Sequence, residues 1–503
     1  MLKATDVVRV LAANSFQILE IAIIAAVLWQ LTAAGYNLFF HPLRKYPGPL
    51  LQRASSVPWA IQHALGIQAF RTQKLHDRYG PVVRISPKHL SVTYADGWKD
   101  IYGFQPGGAK GVAEMPKSKI FTETVKDLPK SILSADREEH QRLRRALAHG
   151  FSDSSMREQE GMISKYIDKL SEKLRERSEE GPVNIESWYN WTTFDIAGDL
   201  IFGQSFGCLD RADYHPWVAF VFGVIRFGAI MTALKYVGLG FVVQGIFRIG
   251  GMRAMNKLRS NTDKMMEDRL SMEQDRNDLF EGLLRRREEW NITFPQLSSN
   301  ALILVLAGSE TTATTLSGAT YLLLKNPDVL QRVTEEVRSS FKSADEITIN
   351  SVTKLSYMLA VLNETLRLYP PVASGMIRLV PDCGCQIASE HIPSGTLVEI
   401  QQWSSNHSPD NWTNPWKYDP ERFLKTKEDE INRLESLQPF SVGPRNCIGR
   451  NLAYAEMRMV LARVLFDFDL SLNQGTDGWI EKQRAYGIWD RVPLSVYLKP
   501  VAR

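Results

Sequence analysis

The residue with the clearest chemical potential is Cys447, which lies near the C-terminus between Gly443 and Gly449. Arg445 precedes it by two positions, and the sequence from Arg450 onward is rich in helix-forming residues. A helix that begins here would place its free N–H groups and the positive end of its dipole beside the sulfur. The glycines would let the backbone turn tightly around it. The pattern therefore predicts a cysteine stabilised as a thiolate, the form that attacks or binds a metal.

A second candidate is a polar stretch inside an apolar helix. Residues 295–326 predict one long helix that is apolar on most sides and ends at Asn326-Pro327, so the helix should be buried. Its middle reads Ala307-Gly-Ser-Glu310-Thr311-Thr, and a buried acid beside hydroxyls is costly unless these groups are bonded. In isolation, a polar kink without chemistry explains the stretch as well as a reactive site does.

Charged pairs recur at helical spacing elsewhere in the chain. Glu364 and Arg367 are three residues apart, which puts both on one face of a helix that ends at Leu368-Tyr-Pro-Pro371. His140 and Arg144 share a face of a predicted helix over residues 136–148 in the same way. Each pair alone is a weak signal, because surface helices contain many such pairs.

Taken together, these motifs resemble one known family. Phe440-x-x-Gly443-x-Arg445-x-Cys447-x-Gly449 is similar to the haem-binding signature of the cytochrome P-450 superfamily. The stretch from Ala307 to Thr312 resembles the family's oxygen-activation segment. The family's two other recurrent motifs are similar to Glu364-x-x-Arg367 and Pro420-Glu-Arg422-Phe. The order along the chain also agrees. The hinge His41-Pro-Leu-Arg-Lys-Tyr-Pro-Gly-Pro looks most like fungal microsomal members that modify secondary metabolites.

The resemblance implies a role for each motif. Cys447 would be the axial ligand of a haem b iron, within a loop whose other haem-binding residues are Phe440, Gly443, Arg445 and Gly449. Thr311 and Glu310 would deliver protons to iron-bound dioxygen, on a helix locally distorted beside the iron. The haem propionates would be bound by His140, where the family more often has Trp, and by Arg144, Arg378 and Arg445. Glu364, Arg367 and Arg422 would form a buried structural triad that holds the cysteine loop.

The elements that must position these residues are mostly helical. The resemblance implies the cytochrome P-450 fold, mainly α with small β-sheets (α+β). Residues 21–40 have no charge and match the ~30 Å hydrocarbon core of a bilayer. We predict a short segment over residues 1–20, a transmembrane anchor over 21–40, a proline-rich hinge over 41–50 and one catalytic domain over 51–503. A cleaved signal peptide is the alternative to the anchor.

Composition narrows the class of protein. The 503 residues include 60 Lys and Arg against 56 Asp and Glu, a balance too even to indicate nucleic-acid binding. Four cysteines are few for a secreted chain of this length. With Arg44 and Lys45 after the anchor, the charges favour an endoplasmic-reticulum protein with a single membrane span and a cytosolic catalytic domain.

The expected activity is insertion of one oxygen atom of O2 into a C–H bond of an apolar terpenoid, polyketide or indole compound. The sequence has no dinucleotide or phosphate-binding motif, so an NADPH-cytochrome reductase must supply electrons, with cytochrome b5 as an optional second donor. Arg142, Arg145 and Arg450 are candidates to attract such an acidic partner. The apolar residues 217–247 are interpreted as the roof of the substrate site rather than a second membrane span. The resemblance further places Leu306, Ser309, residues 373–376 and residues 486–488 in the substrate pocket.

Three functions are compared on this basis. A haem-thiolate isomerase or dehydratase, or a desaturase in the same kind of pathway, would use much of the same framework. A haem sensor or carrier would leave Glu310 and Thr311 without a purpose. The monooxygenase explains more of the motifs than either alternative.

Overall fold

A computed structural model of the chain describes residues 4–104, 114–122, 129–272, 276–424 and 431–502. Within these residues the protein is mostly helical, with four small sheets at its edges.

The α-helices of the described residues are named in chain order. They are α1 Ala4–Phe39, α2 Leu50–Ala54, α3 Val57–Ala64, α4 Gln68–Tyr79, α5 Gly97–Tyr102, α6 Lys119–Thr122, α7 Arg137–Leu147, α8 Asp153–Ser178, α9 Ile185–Phe202, α10 Cys208–Arg211, α11 Pro216–Tyr236, α12 Gly240–Ile246, α13 Met252–Leu270, α14 Glu281–Arg285, α15 Phe294–Lys325, α16 Pro327–Ser340, α17 Ser356–Leu368, α18 Gln402–Asn406 and α19 Arg450–Asp467.

The strands form four sheets. Their bounds are β1 Val82–Ser86, β2 His89–Val92, β3 Val183–Asn184, β4 Arg378–Leu379, β5 Cys385–Ile387, β6 Glu390–Ile392, β7 Leu397–Ile400, β8 Phe468–Leu472, β9 Arg484–Ala485, β10 Trp489–Asp490 and β11 Ser495–Pro500. The largest sheet has the order β1-β2-β7-β4, in which β2 and β7 are parallel and the other neighbours are antiparallel. A second sheet has the order β3-β11-β8, and the pairs β5-β6 and β9-β10 complete the set.

Two buried helices form the centre of the molecule. α15 packs along α9, while α19 packs against both α8 and α15. The helix α15 begins with a capping box between Thr293 and Gln296 and ends before Pro327, which agrees with the predicted span to within one residue. Its burial on most sides also agrees with its sequence. α15 therefore serves as a rigid support across the core.

The helix that carries His140 and Arg144 also starts where the sequence indicates. Asp136 caps α7 by accepting a hydrogen bond from the Glu139 N–H at 3.2 Å. His140 is buried on the inner face of α7, in accord with the i, i+4 spacing that it shares with Arg144.

The N-terminal helix α1 extends from Ala4 to Phe39 and is therefore longer than the anchor predicted over residues 21–40. Its apolar side chains from Ile21 to Leu31 are mostly exposed, including Trp29 at 71%. Among the described residues, the helix that is long and apolar enough to cross a membrane is α11, and Ile23–Phe39 is a shorter apolar stretch. However, 39% of the α11 window is buried inside the protein. α11 packs against α3, α12 and α13, so it is part of the folded domain.

Candidate active site

The motif residues surround one cavity in the middle of the fold. Its lining comes from α15 and from the loop around Cys447 with the start of α19. Side chains from α9 and α7 close the sides. The lining is mainly apolar and includes Ala197, Leu200, Ile201, Leu279, Ile303, Leu304, Ala307, Gly308, Phe440, Ile448 and Leu452. Polar side chains enter it from Thr311, Thr312 and a group of basic residues.

Cys447 faces this cavity from a short loop. Its N–H donates to the carbonyl of Phe440 at 2.8 Å, and α19 begins three residues later with Gly449 as its N-cap. The sulfur is surrounded by protein yet accessible, because it lies on the cavity wall. Burial raises the pKa of the thiol, whereas the Gly449 N–H and the positive charge of Arg144 oppose that rise. The positive charge that acts on the thiol in this way is that of Arg144, on α7.

The two glycines of the motif have different roles. Gly443 has a φ of 75°, and a Cβ added there would lie 2.1 Å from the carbonyl oxygen of Tyr102, so only glycine fits. At Gly449 an added Cβ would meet Phe151 at 3.6 Å and the Cys447 sulfur at 4.0 Å, which are ordinary contacts. The expected tight approach of backbone therefore occurs at Gly443, while Gly449 contributes its N–H to the sulfur.

Basic side chains gather at the cavity. Arg144 donates to the carbonyl and the side-chain oxygen of Asn446, both at 2.6 Å, and so ties α7 to the residue before Cys447. Arg445 is ion-paired with Glu114 at 2.9 Å and donates to the Ala135 carbonyl at 2.8 Å. His140 lies on the same wall. Burial lowers the pKa of His140 to about 3, and the charges of Arg445, Lys117 and Arg144 add to that effect, so the imidazole is neutral.

Arg378 is near this group but is not part of the cavity lining. Its guanidinium lies over the ring of Tyr102, with its central carbon 5.0 Å from the ring centroid, and burial lowers its pKa. Its backbone forms a β-bridge with Lys117, whose side chain does line the cavity. Lys117 belongs to no recognisable motif, so its place at the cavity could not be predicted from the sequence.

Thr311 faces the cavity from the middle of α15. Its hydroxyl donates to the carbonyl of Ala307 at 2.7 Å, one turn earlier. The helix runs unbroken from Phe294 to Lys325, so the local distortion expected from the resemblance is absent. The threonine hydroxyls of this stretch donate to carbonyls one turn earlier in the same helix, as Thr314 and Thr315 also do at 2.7 and 3.0 Å.

Glu310 points away from the cavity into a buried charge cluster. Its carboxylate accepts from the Asn190 side chain at 2.9 Å and forms an ion pair with Arg491 at 3.1 Å. Arg491 also pairs with Glu186 at 2.8 Å and donates to the Glu310 carbonyl at 3.1 Å. Burial raises the pKa of Glu310, and Arg491 and Asn190 oppose the rise. This cluster binds α15 to α9 and to the segment after β10.

None of these partners could be identified from sequence. Arg491 and Asn190 are far from Glu310 along the chain and show no spacing that relates them to it. Glu456 was also missed, although it lies nine positions after Cys447. Its buried carboxyl lines the cavity and interacts with Thr312, and burial raises its pKa to about 8. The helix period did offer one signal, since an acid among the buried residues of α19 is unusual.

The predicted structural triad is brought together in full. Glu364 contacts Arg367 at 2.7 and 2.8 Å and Arg422 at 3.1 Å, and all three side chains are buried. Arg367 donates further to the carbonyls of Asn406 at 2.7 Å and Pro415 at 2.6 Å. The cluster therefore joins α17 to the loop that precedes the cysteine motif.

The predicted substrate residues are only partly on the cavity wall. Met376 lines it, whereas Ser309 is buried against α9, where its hydroxyl donates to the Thr193 carbonyl at 3.1 Å. Leu306 packs against the core, and residues 486–488 lie outside the lining. The residues of α15 that line the cavity are Ile303, Leu304, Ala307, Gly308, Thr311, Thr312 and Thr315. At Gly308 an added Cβ would meet open space.

The residues of this cavity fit a haem. A cysteine sulfur stands on one wall, apolar side chains line both faces, and basic side chains suited to two carboxylates gather at the site. Among the described residues, no group of three or more His, Cys, Asp or Glu side chains could hold a metal ion.

Comparison with known proteins identifies the family. The family model for cytochrome P-450 matches residues 50–492, which is most of the chain. A cytochrome P-450 monooxygenase, tpeC, of Talaromyces stipitatus is 47% identical over 97% of this chain and 96% of its own length. Averantin hydroxylase of Dothistroma septosporum is 42% identical over 95% of this chain and 90% of its own. Trichothecene C-15 hydroxylase of Fusarium sporotrichioides is 42% identical over 92% and 94%.

The chain belongs to the cytochrome P-450 family, as its motifs indicate. Its relatives are monooxygenases and hydroxylases of fungi, and the chain is accordingly an oxidoreductase of the monooxygenase type. The family implies haem with a cysteine thiolate as the iron ligand. In this chain Cys447 is the cysteine that stands in the family's motif and on the cavity wall.

Proposed function

We propose that this protein hydroxylates an apolar secondary metabolite at a haem held by Cys447, with electrons from an NADPH-dependent reductase. The observation that supports this most directly is that Cys447 and Thr311 line the same mainly apolar cavity. The overall reaction consumes the substrate C–H, O2, two electrons and two protons, and it yields the alcohol and water. When bound, the haem supplies the activation of dioxygen.

The protein's own residues have three tasks in this reaction. Cys447 would ligate the iron, and the Gly449 N–H and Arg144 favour the anionic form of its sulfur. Thr311 presents its hydroxyl to the cavity, where it can hold a water or dioxygen and pass a proton. Glu310 is the nearest carboxyl along the helix and serves as the proton source. Its side chain must leave the pair with Arg491 to reach the cavity.

The cavity supports an apolar substrate. Its lining between α9 and α15 consists of aliphatic side chains such as Leu200, Ile201 and Leu304, and Gly308 leaves space above them. Such a surface binds by excluding water and has few groups that could hold a charged ligand. Relatives named for averantin and for trichothecene are hydroxylases. We therefore place the substrate among hydrophobic terpenoid, polyketide or indole compounds.

Electron delivery requires a separate partner. Arg145 and Arg450 are exposed, and Arg142 is partly exposed with its guanidinium donating to the Trp290 carbonyl at 2.9 Å. Arg450 is the first residue of α19, three positions after Cys447, so this basic surface is on the thiolate side. A flavoprotein reductase with an acidic face would be attracted to it. Charge reversal at Arg145 and Arg450 should weaken the salt dependence of reduction; an unchanged dependence would exclude this surface.

Membrane attachment follows from the distribution of exposed apolar residues. α1 exposes most of its aliphatic side chains from Ile21 to Leu31, and α2 and α3 expose Leu50, Leu51 and Ile61. α1 packs against α2, and α3 packs against α11, so these elements form a connected side of the molecule. We propose that α1 anchors the chain in the endoplasmic reticulum membrane with the catalytic domain in the cytosol.

The decisive experiment has two parts. Dithionite-reduced protein under carbon monoxide should give the red-shifted Soret band of a thiolate-ligated haem, and Cys447→Ala should abolish it. Expression with a reductase and a panel of apolar metabolites should then give products heavier by one oxygen atom in mass spectrometry. If Cys447→Ala retains the spectrum and the turnover, the proposal is wrong.

An isomerase or dehydratase remains the second candidate, because the same loop and cavity would support it. The buried Glu310 and the cavity-facing Thr311 favour the monooxygenase, since an isomerase needs no protons for dioxygen. Turnover without NADPH would identify the isomerase. A desaturase would need NADPH but give products lighter by two hydrogens.

A further inference from the structure

Lys117 occupies a distinctive place in the cavity. It lies just before α6, where its backbone bridges to Arg378 at the edge of the main sheet. Its side chain lines the cavity, and the ammonium donates to the Leu133 carbonyl at 2.6 Å. An ammonium has three protons to donate. The bond to Leu133 uses one of them, so Lys117 retains donor capacity toward the cavity.

The charges around Lys117 are unbalanced. Arg378 and Arg445 lie close enough to lower its pKa, to about 7, together with the larger effect of burial. Lys117, Arg144, Arg378 and Arg445 thus contribute four basic groups around one part of the site. Among the residues that the structure describes, the one ion pair in this set joins Arg445 to Glu114. Burying several cations with so little counter-charge is unfavourable, so the set is built for an anionic ligand.

The neighbouring histidine points to the same conclusion. His140 is held neutral by burial and by the charges of Arg445, Lys117 and Arg144. A neutral imidazole offers one N–H donor, as the tryptophan indole that is commoner at this place would. The site therefore combines a neutral donor with several cations, which suits two carboxylates better than a single one.

We propose that Lys117 binds a propionate of the haem. Its ammonium is then the main positive charge that the segment before α6 supplies to balance that carboxylate. The inference rests on the proposed haem site and adds a residue that no sequence motif marks. The segment containing Lys117 would then be fixed to the cofactor, and so would Leu133, whose carbonyl shares the same ammonium.

The test compares Lys117→Met with Lys119→Met in the full-length haem protein. Lys119 is exposed on α6, two residues away, and does not line the cavity, so it is a matched control. Loss of one charged hydrogen bond should make haem transfer to apomyoglobin about tenfold faster in Lys117→Met and leave Lys119→Met unchanged. The reduction potential should become more negative in the first variant, because a cation near the iron is removed.

Two further measurements distinguish propionate binding by Lys117 from a purely structural role. Resonance Raman bands of propionate bending should shift in Lys117→Met if the ammonium contacts a propionate. Lys117→Gln keeps a donor for the Leu133 carbonyl but removes the charge, and it should show the same shift with stability near that of the wild type.

Faster haem loss without a shift of the propionate bands would mean that Lys117 acts only through Leu133, and the proposal would fail. Unchanged haem loss and unchanged bands would also overturn it. By contrast, a wild-type protein without a thiolate-haem spectrum would refute the proposed function itself, whatever Lys117 does.

Discussion

At the scale of single residues, Thr311 and Glu310 are adjacent in sequence but face opposite environments. The hydroxyl of Thr311 is in the cavity, while the carboxylate of Glu310 lies between Asn190 and Arg491. While the ion pair with Arg491 is formed, Glu310 is not among the residues that line the cavity. Proton delivery by Glu310 therefore depends on how firmly Arg491 holds it.

Arg491 makes this dependence measurable. Arg491→Gln leaves the carboxylates of Glu310 and Glu186 buried without their cation, so unfolding should become easier by ~3–5 kcal/mol in chemical denaturation. Glu310→Gln in the same chain removes one of the two uncompensated charges and should recover part of the loss. A double-mutant cycle measures the coupling.

The control for this cycle is Arg226→Gln, which removes an exposed ion pair with Asp490, the residue next to Arg491. Because an exposed ion pair contributes little to the free energy of unfolding, the Arg226→Gln protein should be as stable as the wild type. Equal stability of Arg491→Gln and Arg226→Gln would show that the cluster around Glu310 does not anchor α15.

At the scale of elements, the triad of Glu364, Arg367 and Arg422 joins α17 to the loop before the cysteine motif. Arg422→Met should destabilise the protein by ~3–5 kcal/mol, because Glu364 loses one of its two buried partners. The reduced carbon monoxide spectrum should also lose intensity, since the loop that presents Cys447 is less firmly held.

The matching control is Arg332→Met. Arg332 pairs with Glu421, the residue before Arg422, but its side chain is 55% exposed. Its loss should change neither the thermal midpoint nor the spectrum beyond experimental error. A similar response of the two variants would argue against a special role for the triad.

The elements themselves were largely predictable, and their tertiary partners were not. The bounds of α15 and α7 follow from Pro327, Asp136 and apolar periodicity, which are local signals. Local signals do not predict that Ser309 donates a hydrogen bond to α9 rather than facing the cavity. Nor do they predict that Arg491 forms an ion pair with Glu310. These depend on the packing angle of α15 on α9, which only the assembled core determines.

The surface elements give a further prediction about the membrane. Deletion of residues 1–40 should leave the protein partly bound to microsomal membranes, because α12 and the π-helical turn after it expose Phe241 at 70% and Ile249 at 89%. Adding Phe241→Ser and Ile249→Ser should release it into the soluble fraction at high salt. The exposed Tyr497, on β11, is the control position, and Tyr497→Ser should not change the fraction bound. Complete release by the deletion alone would confine attachment to α1.

At the scale of the whole molecule, buried titratable groups are spread through the fold. Burial lowers the pKa of His76 to about 4 and those of His89 and His407 to about 3. Burial raises the pKa of Glu399 and of Glu456 to about 8. The buried histidines therefore destabilise the folded state as the pH falls below their ordinary pKa. The two buried carboxyls destabilise it as the pH rises above theirs.

The sign of each contribution follows from proton binding. As the pH falls from 6.5, the ordinary value for histidine, toward 4, the unfolded chain binds a proton at His76 that the folded protein does not. Stability is then lost by ~1.4 kcal/mol for each pH unit and each such histidine. For the buried carboxyls, the folded state holds the extra proton from 4.5 up to about 8, so their contribution falls as the pH rises through that range.

His76 offers the cleanest test of this balance, because its ring bonds only to neutral groups, the Gly80 carbonyl at 2.9 Å and the Ser91 hydroxyl at 2.8 Å. His76→Gln should be less stable than the wild type at pH 7.5, since it loses part of these bonds. The difference should shrink steadily as the pH falls from 6.5 to 4.5, because glutamine binds no proton in the unfolded chain. The exposed His391→Gln should show no such trend in thermal midpoints measured across the same range. A difference between His76→Gln and wild type that stays constant with pH would mean that His76 titrates alike in the folded and unfolded states, and the acid sensitivity would have to come from other groups.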